Sequence, residues 1–249
     1  VNSVPATGGA AFFDLDRTLI RRSSMLALAP TLRRNGLIGW RSLARATAWH
    51  AVYLILGVSS RQMAGVADQT FRLMKGWPVA EFRALIEEEI EPLAALAFPD
   101  AIQRMRQHQA RGEPAIVVSA SLIDLVEPLA RRLGLDAAIG SRARVREGRY
   151  TGEVESFLHG AAKADAVRSH AARHGIDLAA SSAYTDSRSD IQLLQTVGHP
   201  FAVNPDRALR RAAAAHDWPV LRFTSDKLPL AEAEAELLLH APDEDDPPP

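Results

Sequence analysis

The sequence has 249 residues, a formal net charge of −1 and 47% apolar residues, enough to bury a sizeable core. Charge so nearly balanced gives no overall field for collecting nucleic acid or an acidic membrane surface. Cysteine is absent, which excludes disulfides, thiolate nucleophiles, cysteine-bound zinc and iron–sulfur clusters and fits a reducing cytoplasm.

In chain order, residues 1–9 are small and polar, without the basic start and apolar run of a secretory leader, and are expected to be flexible. Ala10-Ala11-Phe12-Phe13 reads as a buried strand ended by Asp14. From Ser24 to Glu91 apolar residues recur at helical spacing, as at Phe82, Leu85, Ile86 and Ile90, while Gly36, Gly39, Gly57 and Gly76 mark turns. The longest uncharged run, Ala46 to Ser60, is shorter than the roughly 20 residues of a membrane-spanning helix. From Phe98 onward the pattern alternates. Helices are predicted over 99–110, 122–133, 161–174, 191–196 and 206–216, and strands over 115–118, 182–185, 201–203 and 220–223. Residues 142–154 read as a hairpin turning at Glu147-Gly148-Arg149. Such alternation predicts an α/β fold, a parallel sheet covered on both faces, with the site at the carboxyl ends of the strands. The acidic run 243–246 and the three prolines after it make 241–249 a flexible tail.

Four polar clusters stand where this pattern changes. Asp14-Leu15-Asp16-Arg17-Thr18-Leu19 follows the first strand, and two carboxylates two residues apart beyond a strand end reach one site if the chain turns there. Ile116-Val117-Val118-Ser119-Ala120-Ser121 ends a strand in hydroxyls, and Ser121 with Asp124 reads as a capping box whose free N–H groups suit a phosphate. Lys163 stands early on a helix after Gly160-Ala161-Ala162. Tyr184-Thr185-Asp186-Ser187-Arg188-Ser189-Asp190 again ends a strand in acids, with Asp190 opening a helix. Each cluster alone has a plainer explanation as a turn, a cap or a solvated surface lysine. His170 and His174, four apart on one helix, lack a third ligand and read as exposed.

The order Asp-x-Asp-x-Thr, Ser, Lys, Asp-(x)3-Asp resembles the haloacid dehalogenase superfamily, in its phosphoserine-phosphatase-like branch, from about residue 10 to 223. The resemblance implies a Rossmann-like core of 10–22 and 98–225 with a parallel sheet, and a helical cap inserted after the first strand at 23–97. It implies a phosphatase dependent on Mg²⁺ and acting on a small-molecule phosphate ester. Asp14 would be the nucleophile that becomes an aspartyl-phosphate, and Asp16 the general acid and base. Thr18 would hold the turn. Ser119, the Ala120 N–H and Lys163 would hold phosphoryl oxygens. The metal would be held by Asp14, Asp186 and the Asp16 carbonyl, with Asp190 ordering its water or Lys163.

The same resemblance bears on substrate. Phosphoserine phosphatases carry a glutamate about nine residues after the nucleophile, where Ser23 stands here. Arg21 and Arg22 beside it favour extra anionic charge, with Arg22 a candidate substrate contact, and argue against phosphoserine. Trp40, Trp49 and the apolar residues 52–56 give a lipid-phosphate reading of the cap, against the plainer one of helical core or dimer face. Thr185 stands before Asp186 where relatives have Gly or Ser, and stiffens the loop. A phosphotransferase with the same intermediate and a non-catalytic phosphate-binding protein are the alternatives.

Overall fold

The structure, a computed structural model, describes residues 8–36 and 71–224. The central strand β1 (Ala11–Asp14) is buried along its whole length. It is followed by helix α1 (Ser24–Arg34), and the described chain resumes before α2 (Val79–Ala94) and α3 (Pro99–Ala110). Then come β2 (Ala115–Leu122), α4 (Ile123–Leu133), β3 (Ala137–Arg146), β4 (Arg149–Ser156) and α5 (Ala161–His174). The chain continues through β5 (Ser182–Thr185), a 3₁₀ turn (Arg188–Asp190), α6 (Ile191–Leu194), β6 (His199–Val203), α7 (Arg207–Ala215) and β7 (Val220–Leu221).

The strands form one seven-stranded sheet in the order β4-β3-β2-β1-β5-β6-β7. All neighbours are parallel except the β3–β4 hairpin. The chain moves outward from β1 in both directions, through β2 on one side and β5 on the other. In such sheets ligands bind where that reversal falls, here at the carboxyl ends of β1 and β5.

Alternation along the strands sends side chains to opposite faces. Phe12, Ile116, Val118, Ala183 and Ala202 join Val167 of α5, Leu193 and Leu194 of α6, and Leu209 and Ala213 of α7. Phe13, Val117, Tyr184 and Val203 join the side chains of α1 to α4. Tyr184 lies stacked between Phe13 and Phe201, at centroid distances of 4.5 and 4.8 Å, directly beneath the strand ends that carry Asp14 and Asp186.

Helix α2 packs along α4. Phe82, Leu85, Ile86 and Ile90 share a cluster with Leu122, Leu125, Val126 and Leu129. Arg83 places Nε at 2.7 Å and Nη2 at 2.6 Å from Asp124 Oδ1, and Arg132 pairs with Glu91. The segment before α2 pairs with β4: Gly76 N–H donates to the Tyr150 carbonyl, Tyr150 N–H to Trp77 and Val79 N–H to Gly148. Those bonds cover the start of an otherwise open sheet edge.

Three sequence expectations are corrected. The strand expected over 115–118 runs on to Leu122, because β2 keeps pairing with β3 beyond Ser119. No capping box forms at Ser121: Leu122 precedes α4 without a side-chain cap, and Asp124 is taken by Arg83. The last strand ends at Leu221, and Phe223 bonds to the Asn204 side chain instead. Trp40, Trp49 and residues 52–56 of the expected cap lie outside the described residues, as does the tail over 241–249.

Candidate active site

Asp14 ends β1, and the chain turns tightly after it. The N–H groups of Leu19 and Ile20 both donate to the Leu15 carbonyl at 3.0 Å, and Leu19 N–H also approaches the Asp14 carbonyl at 3.2 Å. Arg17 takes φ +64° in this turn, a left-handed conformation uncommon outside glycine. The Thr18 hydroxyl approaches Asp14 Oδ2 at 3.4 Å. Asp16 Oδ1 accepts the Ser24 N–H at 2.8 Å, so its carboxylate sits against the positive end of α1.

Lys163 reaches this point because of a glycine. Gly160 precedes α5 at φ +60°, ψ −126°, a conformation that is essentially glycine's own, and it aims the first turn of α5 at the sheet edge. Lys163 is buried, contrary to the ordinary fate of a lysine. Its Nζ donates to Asp14 Oδ1 at 2.5 Å and to Asp190 Oδ2 at 2.7 Å. The same Asp190 oxygen accepts the Thr185 hydroxyl at 2.8 Å. Thr185 therefore orients Asp190, a role more specific than stiffening the loop.

Ser119 and Leu122 of β2 pair with adjacent residues of β3, Gly140 and Ser141. Ala120 and Ser121 consequently bulge from the ladder near the carboxyl end of β2. Ser119 is buried and its hydroxyl accepts the Ser121 N–H at 3.0 Å. The Ser121 hydroxyl lies 3.0 Å from that of Ser24. The Ser141 hydroxyl holds the Ala120 carbonyl at 2.7 Å, fixing the bulge from the far side. A Cβ on Gly140 would lie 2.9 Å from the Ile123 Cα and 3.1 Å from the Ser121 carbonyl oxygen, so only glycine fits beside the bulge.

Burial decides the electrostatics. It pushes the Asp14 carboxyl up to about 7; Lys163 opposes the shift, while the charges of Asp190 and Asp16 add to it. Burial likewise raises Asp186, helped by Asp14 and opposed by Arg17. Burial alone would lower Lys163, yet Asp14 and Asp190 hold its ammonium well above the usual lysine range. Among the described residues, four carboxylates, Asp14, Asp16, Asp186 and Asp190, thus meet two cations, Lys163 and Arg17. A hard cation with oxygen ligands suits that surplus of negative charge. Among the described residues no group of three or more His, Cys, Asp or Glu side chains forms a ready metal cage. Asp14 and Asp186 stand close enough for the charge of one to act on the other.

Some candidates stand apart. Arg22 is exposed, and Ser23 is half-buried at the start of α1. His170 is half-buried rather than exposed and lies against His174, and burial lowers it to about 4. Sequence reasoning missed Arg17, which pairs with Asp186 at 3.3 Å, and Ser24, which touches both Asp16 and Ser121. Their signal was position: Arg17 lies inside the Asp-x-Asp-x-Thr turn, and Ser24 opens the next helix. His159 was missed as well. It stacks on Phe157 and feels the opposing charges of Asp190 and Lys163, while burial lowers its basicity.

The family model described as haloacid dehalogenase-like hydrolase matches residues 11–195. A protein of Mycobacterium tuberculosis named a probable phosphatase is 36% identical over 239 residues, covering 94% of this chain and 83% of that one. A crystal structure of a Bordetella pertussis protein of unknown function superposes with a TM-score of 0.75 at 30% identity, covering 87% of this chain and 99% of that one. A phosphoserine phosphatase, solved as a phospho-aspartyl intermediate analogue, shares the fold with a TM-score of 0.62 at 20% identity, covering 92% and 99%.

Proposed function

The chain belongs to the haloacid dehalogenase-like hydrolases, and we propose that it is an Mg²⁺-dependent phosphatase that cleaves a small-molecule phosphomonoester through a phosphoryl group carried on Asp14. The observation that carries this reading is the buried lysine bridge: Lys163 Nζ donates to both Asp14 and Asp190. A lysine so placed keeps Asp14 oriented and offers positive charge to an incoming phosphoryl group.

Asp14 attacks phosphorus, and the ester oxygen departs with a proton from the Asp16 carboxyl. A water then attacks the phosphoryl group, gives a proton back to Asp16 and releases phosphate and free Asp14. The sum is ester plus water to alcohol plus phosphate. Asp16 is held for both transfers by the Ser24 N–H at the start of α1. Ser119 and the Ala120 N–H, on the bulge of β2, receive the phosphoryl oxygens with Lys163. The carboxylates of Asp14 and Asp186 and the carbonyl of Asp16 would hold the metal, and Asp190 orients Lys163. Bound there, the metal supplies positive charge to the phosphoryl oxygens.

Residues 23–97 serve as the cap that selects the leaving group over a core of 10–22 and 98–225. Ser23 offers no carboxylate to an ammonium, which argues against phosphoserine as the preferred ester. The test is phosphate release from a panel of phosphoserine, sugar phosphates, nucleotides and lysophospholipids, with Mg²⁺ or a chelator. Turnover that needs Mg²⁺ and is lost in Asp14→Asn supports the reading. Transfer of the phosphoryl group to added alcohols in place of water would favour a phosphotransferase, and binding without turnover a phosphate-binding protein.

A further inference from the structure

The turn after β1 holds a cation that the proposed chemistry does not use. Arg17 stands between Asp16 and Thr18 with φ +64°, and that left-handed turn directs it toward the loop after β5. Its Nε lies 3.3 Å from Asp186 Oδ2. The two partners differ in their surroundings: the Arg17 side chain is 39% exposed and that of Asp186 is 5% exposed. The guanidinium therefore reaches from solvent onto a buried carboxylate. Arginine presents five donors in a planar fork and remains charged at any working pH. One nitrogen on Asp186 leaves further donors of that fork on the exposed side of the pair.

Asp186 is also a carboxylate assigned above to the metal, so two cations have a claim on the same oxygens. We propose that Arg17 is an exchangeable counter-ion: it neutralises Asp186 in the metal-free protein, is displaced when the metal binds, and then binds the anionic substrate as a specificity-determining residue. The proposal rests on the metal and phosphate assignments above. It gives the binding of metal and substrate an order, because the arginine becomes available to an anion only after Asp186 has acquired another cation.

The test is calorimetric and needs no turnover. Mg²⁺ is titrated into the full chain and into Arg17→Gln without phosphate, and inorganic phosphate is then titrated into both at saturating Mg²⁺. The proposal predicts Mg²⁺ affinity about five-fold tighter in the variant, the order expected for removing a partly exposed ion-pair competitor. It also predicts phosphate affinity weaker by about ten-fold or more, the loss of one charge-assisted contact. Arg17→Gly suits the left-handed backbone and serves as the second variant if the glutamine protein folds poorly. Unchanged Mg²⁺ affinity, or unchanged phosphate affinity in the metal-loaded variant, would overturn the proposal. Absence of Mg²⁺ binding by the unsubstituted protein would instead contradict the metal assignment on which it rests.

Discussion

At the scale of single residues, the site is governed by carboxylates kept from water. Burial lifts the ionisation of Asp14 to about 7, above its unfolded value near 4. The folded, metal-free protein therefore holds a proton that the unfolded chain has lost across that window, and this group makes stability fall as pH rises from about 4 to 7. Asp186 contributes with the same sign. Thermal unfolding in chelator from pH 5 to 8 should thus show a shallower decline in Asp14→Asn than in the unsubstituted protein, with the variant the more stable of the two above pH 7. A steeper decline in the variant would contradict the assignment. The proposed metal ligands must be ionised, so apparent Mg²⁺ affinity should climb with pH through about 7; calorimetry at three pH values checks this.

At the scale of elements, two glycines shape the site. Gly140→Ala places a methyl 2.9 Å from the Ile123 backbone, which must push the Ser119–Ser121 bulge out of position. The expected result is a fall in turnover of at least ten-fold with the sheet intact by circular dichroism, since the bulge lies at the sheet's carboxyl edge. Gly160→Ala should misdirect α5 and weaken the Lys163 bridge, read as lost turnover and a lower unfolding midpoint. The elements themselves are largely legible in the sequence, because periodicity is local. The helices at Pro99–Ala110 and Ala161–His174 and the strand at Ser182–Thr185 stand where the apolar spacing puts them. Their partnerships are less legible. The approach of Lys163 to Asp14 spans 149 residues of sequence, and nothing near Lys163 distinguishes it from a surface lysine. Asp124 looks like half of a capping box until Arg83, 41 residues away, arrives to take it. The position of Arg17 inside the Asp-x-Asp-x-Thr turn is legible, but its reach to Asp186 depends on a backbone angle that the sequence pattern does not encode.

At the scale of the molecule, α2 packs on α4 along a seam that is both apolar and ionic. Phe82→Ala removes a buried ring that meets Tyr150 edge-on, at a cost of about 3–5 kcal/mol. Arg83→Ala leaves the buried Asp124 carboxylate without its guanidinium, at a cost of about 1–2 kcal/mol, modest because the arginine is largely exposed. Urea unfolding should rank the two substitutions in that order. Among the described residues no helix is long and apolar enough to cross a membrane. The central claim, that Asp14 carries the phosphoryl group, is tested most directly by chemical trapping. The protein is mixed with Mg²⁺ and p-nitrophenyl phosphate, quenched during turnover with borohydride, and digested for mass spectrometry. Reduction of an acyl phosphate converts aspartate to homoserine, and the account predicts homoserine at position 14 alone, absent when phosphate ester is omitted. Turnover that proceeds with position 14 unmodified, or with the modification on another carboxylate, would contradict it.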